Sequence, residues 1–262
     1  MSNTNRNLSF PPGTPFDTRK RAVIIGASSG IGAELARQLA REGYTLALLA
    51  RRQEALQALS DEINEAAGET RAVIYPHDVC KFDAIPGLFQ TILQDLKRID
   101  LIIYCAGVMP AAAFSEFSFA KDQGMIKVNL LGAMAWLGQA ATLFERMGRG
   151  QIVGISSVAG DRGRVINPGY STSKAGLDTY LESLRNRLTR KGVHVLTVKP
   201  GPVDTPMATR GGLFMIPPEQ AARDITSAIR KRHQTVYTPA RWRLIMFVVR
   251  NMPSVIFRRL NF

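Results

Sequence analysis

A serine, a tyrosine and a lysine stand in an order and at a spacing that suit proton transfer. Ser157 follows the apolar stretch QIVGIS, and Tyr170 and Lys174 lie four residues apart at the start of a predicted helix. Both side chains therefore project from one helix face, about 6 Å apart along the axis. A free phenol, with a pKa of about 10, is a poor base at neutral pH, but a neighbouring ammonium favours the phenolate. The three residues predict a phenol that exchanges a proton with a substrate hydroxyl, while Ser157 hydrogen-bonds the carbonyl oxygen.

A glycine-rich turn, GASSGIG, follows the first apolar run of the chain and directly precedes a predicted helix. Its glycines permit a tight bend, close approach of a pyrophosphate and close packing of the helix on the strand. Bare N–H groups at the helix start then hold the phosphates. An ordinary strand–helix turn rich in small residues is the alternative, but the place in the first βα unit favours dinucleotide binding. The residues assigned to this role are Gly26, Ser28, Ser29, Gly30, Ile31 and Gly32.

The end of the second predicted strand distinguishes between two cofactors. Arg51 and Arg52 stand where an NAD site carries a carboxylate for the ribose 2′-hydroxyl. Because arginine accommodates a 2′-phosphate, we expect NADP(H) to be preferred over NAD(H). The alternative is that both arginines only begin the next helix in solvent.

The elements that must position these side chains alternate along the chain. Continuous apolar runs such as AVII, LALLA and HVLTV indicate strands that are buried on both faces of a parallel sheet. The pattern predicts an α/β, doubly wound Rossmann fold, with about seven parallel strands and helices on both faces. The predicted strands are 22–26, 45–50, 72–76, 100–105, 151–156, 194–199 and 235–238. The predicted helices are 30–43, 53–67, 82–98, 119–147, 170–191 and 218–231.

Composition divides the chain into three predicted segments. Residues 1–20 contain three prolines and no periodicity, which predicts a flexible N-terminal tail. Residues 21–238 form the predicted dinucleotide-binding catalytic domain, and 239–262 a basic, apolar, helical C-terminal extension. No secretory signal and no apolar run of about 20 residues are visible. Two cysteines suit a reducing compartment, so a cytoplasmic location is expected.

With these motifs the chain resembles the short-chain dehydrogenase/reductase family, in its short single-domain branch, over about residues 21–238. The resemblance implies an oxidoreductase that interconverts a carbonyl and a hydroxyl group by hydride transfer. It implies that Asn129, in MIKVNLLG, kinks its helix, holds a water linked to Lys174 and completes a Ser-Tyr-Lys-Asn relay. The resemblance also implies further cofactor contacts, at Asp78, Val79, Cys105, Ala106, Gly107, Tyr170, Lys174, Pro200, Gly201, Val203 and Thr205.

Three segments depart from the family pattern. Ile25 replaces the usual threonine beside the first glycine, Tyr104 and Cys105 replace two asparagines, and Gly154 stands where asparagine is frequent. These changes put local hydrogen bonding in doubt rather than the reaction. Cys105 is interpreted as a small buried thiol rather than a redox-active one. The three histidines have no ligand-like spacing, so no metal site is predicted.

The substrate side of the predicted site is apolar. By resemblance the loop 206–216 covers the substrate, and Met109, Phe114, Val158 and Ile166 lie in segments that flank the same pocket. This composition favours a lipophilic ketone or alcohol as substrate. The alternative is that these side chains only pack the loop against the protein.

The net charge of +13 is concentrated at the two ends of the chain. Residues 1–21 carry +3, residues 230–262 carry +8, and residues 22–229 carry only +2. A nucleic-acid groove would place its basic residues along the folded body, so no nucleic-acid partner is expected.

In the tail a helical projection places four apolar residues on one face and arginines on another. The apolar residues are Trp242, Ile245, Met246 and Val249. Two interpretations stay open. One is contact with a membrane surface, peripheral on its inner face, and the other is packing against the body or a second subunit. A homodimer or homotetramer through 119–147 and 170–191 is an expectation from resemblance only.

Two functions from other classes compete with the oxidoreductase. The first is a non-catalytic NADP-sensing protein that uses its basic termini for partner contact, and the second is a sugar-nucleotide epimerase. Ser157, Tyr170, Lys174 and Asn129 are all present, which favours the enzyme. An epimerase would carry a larger substrate domain than the short segment that follows Pro200.

Overall fold

A computed structural model describes residues 19–208 and 214–260. The predicted flexible tail, 1–20, therefore lies outside the described residues except for its last two. Seven parallel strands form one sheet in the order β3-β2-β1-β4-β5-β6-β7, which confirms the predicted doubly wound fold. The strands are β1 (Arg21–Ile25), β2 (Thr45–Ala50), β3 (Ala72–Pro76), β4 (Leu101–Tyr104), β5 (Gly150–Ile155), β6 (Val193–Pro200) and β7 (Thr235–Thr238).

The centre of the sheet is dry because its strands carry apolar residues on both faces. All five residues of β1 are buried, and β1 pairs with β2 on one side and with β4 on the other. Ile25, its last residue, lies opposite Leu49 and Tyr104 in these two pairings. The strand order thus reverses beside β1, and such a reversal opens a crevice at the carboxyl ends of the strands.

Helices cover both faces of the sheet. One apolar cluster joins the sheet to α3, α5 and α6, and a second joins its other face to α1, α2 and α7. These layers bury the apolar stripes that the sequence periodicity predicts. The helices are α1 (Gly30–Arg41), α2 (Gln53–Ala67), α3 (Ile85–Leu96), α4 (Phe119–Met125), α5 (Gly132–Met147), α6 (Pro168–Leu188), α7 (Pro218–Arg230), α8 (Arg241–Asn251) and α9 (Ser254–Phe257).

Two of the predicted helices differ in detail. The helix predicted over 82–98 begins with a 3₁₀ turn at Phe82–Ala84, and the helix predicted over 119–147 is interrupted by a π-helical segment, Ile126–Leu131. Tyr104 lies on β4, and its hydroxyl donates a hydrogen bond to the Val128 carbonyl, which is inside that segment. A side chain that binds a helical carbonyl from outside disturbs the regular ladder. The interruption therefore lies where a residue of another element contacts the helix, and it contains Asn129, at which the resemblance implies a kink.

The C-terminal extension forms α8 and α9. Trp242, Met246 and Val249 are buried in a cluster with Val158, with Ile245 partly buried beside them. The predicted apolar face of this segment therefore packs on the body of the protein. Among the described helices none is long and apolar enough to cross a membrane.

Candidate active site

A cavity of about 480 Å³ opens at the carboxyl ends of the central strands. It brings together the glycine-rich turn, the ends of β2 to β6, and the start of α6. Of the predicted site residues, only Gly32 and Asn129 are absent from its lining. The predicted residues that line it are Gly26, Ser28, Ser29, Gly30, Ile31, Arg51, Arg52, Asp78, Val79, Cys105, Ala106, Gly107, Ser157, Tyr170, Lys174, Pro200, Gly201, Val203 and Thr205.

The glycine-rich turn follows a path that side chains would obstruct. Gly26 has φ +93°, and a Cβ there would lie 2.4 Å from the backbone nitrogen of Ala106. A Cβ on Gly32 would lie 2.1 Å from the Gly26 carbonyl oxygen, so the start of α1 packs directly on the turn. The helix begins at Gly30, and the Ser29 side chain makes no capping hydrogen bond. The turn therefore leaves room and N–H donors for a pyrophosphate.

Two arginines form the rim of the cavity beside this turn. Arg52 donates hydrogen bonds to the Ser28 hydroxyl at 3.0 Å and to the Ser29 hydroxyl at 2.7 Å. Arg51 and Arg52 are both exposed and both line the cavity. A cation held over the turn by two hydroxyl groups fits the 2′-phosphate of an adenine dinucleotide.

Ser157 and Tyr170 reach the cavity from different elements. Ser157 follows β5, and its Oγ accepts a hydrogen bond from the Ala159 backbone N–H at 3.1 Å. Since that bond uses the oxygen only as an acceptor, the hydroxyl hydrogen is left to donate. Tyr170 lies in the first turn of α6, half-buried, and Lys174 follows one turn later.

The Lys174 ammonium is buried behind Tyr170. The residue is 4% exposed, and its Nζ lies 5.7 Å from the centre of the Tyr170 ring. Nζ donates to the Ile155 carbonyl oxygen at 2.9 Å, which fixes it between the end of β5 and α6. An ammonium has three donors, so two remain for the cavity side.

Asn129 lies in the π-helical segment and is fully buried. Its amide oxygen accepts from the Val108 backbone N–H at 2.8 Å. Its amide nitrogen donates to the Val108 carbonyl oxygen and to the Ser173 hydroxyl, both at 3.0 Å. A Cβ built on Gly107 would lie 3.5 Å from Asn129 Oδ1 and 3.6 Å from Lys174 Nζ, so both flank Gly107. The Asn129 side chain thus connects the loop after β4 to α6, instead of lining the cavity.

Burial governs the two residues that replace the family's asparagines. Burial raises the pKa of the Cys105 thiol to about 12. The nearby Lys174 ammonium acts in the opposite direction but is the smaller effect. Burial also raises the pKa of the Tyr104 phenol well above its ordinary value, so the hydroxyl stays a donor to Val128. The raised pKa of Cys105 disfavours its thiolate, although the residue is only half-buried and lines the cavity rather than lying in the core.

The cavity also has walls that the sequence argument missed. Arg164, between Ser157 and Tyr170 in the chain, lines it. Burial lowers the pKa of this guanidinium, while Tyr170 and Asp161 act in the opposite direction. The position of an arginine between two candidate catalytic residues is a signal that sequence reasoning had available.

Trp242 is the second wall that was missed, and nothing near it in the chain indicates the site. A Cβ on Gly201 would lie 1.9 Å from the Trp242 indole nitrogen, so the ring packs directly on that glycine. Trp242 is 7% exposed and lines the cavity. The C-terminal extension therefore supports the segment after β6.

The apolar flank is only partly as predicted. Met109 and Val158 line the cavity, but Phe114 and Ile166 are not among the lining residues and are 67% and 52% exposed. Of the predicted covering loop, 206–216, residues 209–213 lie outside the described part of the chain. Its described ends contribute apolar lining residues, namely Pro206, Met207, Ala208 and Met215.

A buried ionic network lies under the turn that carries Ser157. The Lys199 ammonium bridges the Asp161 and Asp178 carboxylates, and the Tyr237 hydroxyl donates to Asp161 at 2.8 Å. Burial lowers the pKa of Lys199, but the two carboxylates outweigh it and the pKa is raised. The network ties β6, β7 and α6 to the turn, so it holds the cavity wall in place.

Comparison with known proteins agrees with this geometry. A family described as short chain dehydrogenase matches residues 20–212. The ketoacyl reductase HetN of Nostoc sp. is 31% identical over 222 residues, which cover 82% of this chain and 77% of that protein.

Solved structures resemble the fold as a whole. A short-chain dehydrogenase from Sphingobium yanoikuyae, in complex with NADPH, superposes with a TM-score of 0.77 at 23% identity, covering 90% of this chain and 97% of that chain. A variant of the actinorhodin polyketide ketoreductase with NADPH gives a TM-score of 0.75 at 26% identity, covering 84% and 95%.

Proposed function

We propose that this protein interconverts a carbonyl and a hydroxyl group with NADP(H). The proposal proceeds from its family, because the chain belongs to the short-chain dehydrogenase family and is an oxidoreductase. The observation that carries the proposal is one cavity lined by Ser157, Tyr170, Lys174 and the glycine-rich turn. A proton donor, a hydroxyl donor and a phosphate-binding turn in one crevice are the parts that this reaction needs.

In the reducing direction the Tyr170 hydroxyl gives its proton to the substrate oxygen. The Ser157 hydroxyl donates to the same oxygen and stabilises the charge that develops there. The Lys174 ammonium, one helical turn behind the phenol, stabilises the phenolate that remains. When bound, the nicotinamide supplies a hydride to the carbonyl carbon, or accepts one in the reverse direction. Asn129, through Ser173, keeps the start of α6 against the loop after β4.

Preference for NADP(H) over NAD(H) is proposed from the rim of the cavity. Arg52 lies over the turn, with Arg51 beside it, and the end of β2 offers no carboxylate to a ribose hydroxyl. The structural relatives described above were solved with NADPH. Both facts support a dinucleotide with a 2′-phosphate.

A lipophilic substrate is proposed from the walls beyond the catalytic side chains. Met109, Val158, Met207, Met215 and Trp242 line that part of the cavity. Such side chains favour a substrate with an apolar body.

The test is Tyr170→Phe, assayed by NADPH absorbance with a panel of ketones. We expect turnover to fall by several orders of magnitude, while NADPH affinity changes little because the glycine-rich turn and its arginines are left intact. Tyr180→Phe is the matched control, since Tyr180 lies on the same helix and its hydroxyl donates to the Met134 carbonyl oxygen at 3.3 Å.

Two outcomes would count against the proposal. A Tyr170→Phe variant as active as the wild type would remove Tyr170 from the mechanism. Wild-type protein that binds NADPH but turns over no carbonyl compound would favour the non-catalytic, NADP-sensing alternative.

Assembly as a homodimer or homotetramer and a cytoplasmic location are also proposals. Leu131 and Met134, in the region predicted to form the interface, are each 40% exposed and would be covered by a second subunit. Light scattering after size exclusion measures the assembly directly, and a monomer at all concentrations would contradict it.

A further inference from the structure

Helix α8 uses only one of its two apolar faces to pack on the protein. Trp242, Met246 and Val249, at i, i+4 and i+7, are buried against Val158. The opposite face carries Leu244, which is 71% exposed. A helix that only covered the body would need no apolar residue on that side.

The exposed apolar side chains extend over both C-terminal helices. Phe247 and Val248 on α8 are 66% and 53% exposed, and Val255 and Ile256 on α9 are 56% and 50% exposed. Leu260, 42% exposed, follows α9. We call this set, with Leu244, the outer face. Exposed apolar residues grouped in this way mark an interaction site, whereas single ones do not.

Arginines surround the outer face. Arg243 and Arg250 on α8, and Arg258 and Arg259 after α9, are all exposed. From position 230 to the last residue the chain has eight basic residues and no acidic residue. The partner must therefore offer negative charge together with an apolar surface.

The orientation of the outer face is held by contacts with the body. Arg162 donates hydrogen bonds to the carbonyl oxygens of Val249 and Met252, the latter at 2.6 Å. Its guanidinium also lies 3.9 Å from the centre of the Phe257 ring. Because one cation binds the end of α8 and stacks on α9, both helices are fixed to the body of the protein.

This surface adjoins the mouth of the cavity. Arg241, at the start of α8, donates to the Phe214 carbonyl oxygen at 3.0 Å and lies 4.7 Å from the centre of that ring. Phe214 is 47% exposed. On α8, Arg241, Leu244 and Val248 share one stripe at i, i+3 and i+7, so Phe214 lies at the end of the stripe that carries Leu244 and Val248.

We propose that the outer face docks this protein on an anionic lipid bilayer. Apolar side chains on short helices, flanked by arginines, match the chemistry of a bilayer interface with negative headgroups. A second copy of the chain fits less well, because a two-fold interface would place this arginine-rich face against itself. The apolar face for which the sequence left both interpretations open packs on the body, and the proposal assigns the opposite, outer face to lipid.

The experiment is co-sedimentation of the full chain with phosphatidylcholine vesicles, with and without phosphatidylserine. We expect binding only to the anionic vesicles, and weaker binding as salt is raised. Two double variants test the surface. Leu244→Glu with Phe247→Glu, and Arg243→Glu with Arg250→Glu, should each weaken binding about tenfold or more.

Matched controls lie outside the C-terminal extension. Phe117→Glu changes a 94% exposed aromatic residue, and Arg187→Glu with Arg190→Glu changes two exposed arginines near the end of α6. Both controls should bind vesicles nearly as wild type, apart from the general effect of net charge, and circular dichroism should show all variants folded.

Three outcomes would overturn the proposal. The first is wild-type protein that fails to bind anionic vesicles or binds neutral vesicles equally well. The second is an outer-face variant, folded by circular dichroism, that binds as wild type. The third is a change of oligomeric state in the variant that combines Leu244→Glu and Phe247→Glu. Loss of a subunit there would show that the outer face binds a second copy of the chain. None of these measurements requires turnover, so they are independent of the proposed reaction.

Discussion

Replacing Tyr104 by phenylalanine tests how a single hydroxyl positions the active site. Tyr104 is fully buried on β4, and its hydroxyl donates to the Val128 carbonyl in the π-helical segment. Asn129 follows Val128 in this segment, and its side chain is hydrogen-bonded to both Val108 and Ser173. Tyr104→Phe removes the hydroxyl and leaves the ring, so the core keeps its packing while the π-helical segment loses its anchor.

The expected loss of stability follows from one buried hydrogen bond. Such a bond contributes about 0.5–1.5 kcal/mol net. In a domain of this size 1 kcal/mol corresponds to about 2–4 °C, so the melting temperature should fall by about 1–6 °C. Displacement of Asn129 should also reduce kcat by about fivefold, which corresponds to about 1 kcal/mol of barrier. NADPH affinity should change little, because Tyr104 does not line the cavity.

The assay combines a thermal melt followed by circular dichroism with steady-state kinetics. Tyr180→Phe is the control, because its hydroxyl also donates to a helical carbonyl but from a half-buried ring, at 3.3 Å. If Tyr104→Phe matched Tyr180→Phe in both melting temperature and kcat, the Tyr104 hydroxyl would not hold the π-helical segment, and this reasoning would be refuted.

Three further predictions concern the cavity. Arg52→Ala should weaken NADPH binding about tenfold or more by fluorescence titration, because a charge-assisted hydrogen bond contributes about 1.5–3 kcal/mol; an equal effect on NADH would contradict the 2′-phosphate role. Gly201→Ala should lower the melting temperature by several degrees, since its Cβ would overlap the Trp242 ring, whereas Gly163→Ala, with nothing within 4 Å, should not. Cys105, whose pKa is raised to about 12, should resist iodoacetamide at pH 7 in a mass-spectrometric assay; rapid alkylation there would show an activated thiolate.

The strands and the glycine-rich turn could be predicted because their signals are local. A strand buried on both faces of a parallel sheet must be a continuous apolar run, and each of the seven strands lies within one residue of its predicted bounds. Ser157, Tyr170 and Lys174 could be named from the chain alone because their proposed roles depend on residue type and order. The cavity brings these three together with the turn.

The resemblance implies a kink at Asn129, but the sequence did not show that the irregularity is a π-helical segment in contact with another element. Residues 126–131 have an ordinary helical sequence, and the hydroxyl that binds the Val128 carbonyl comes from Tyr104 on β4. Phe114 and Ile166 were predicted beside the cavity because they are apolar and lie in segments expected to flank it, yet both are exposed. Composition cannot tell which apolar residues of a loop face the site.

The fold class and the candidate site residues were therefore indicated by the sequence itself, through residue types and periodicities that extend only a few positions along the chain. The tertiary structure alone decided which distant residues meet: Trp242 on Gly201, Arg164 in the cavity, and Arg162 across the ends of α8 and α9. It also decided which face of α8 is buried and which is exposed. The physical reason is that such contacts depend on how whole elements pack in space, and no local pattern in the chain records that packing.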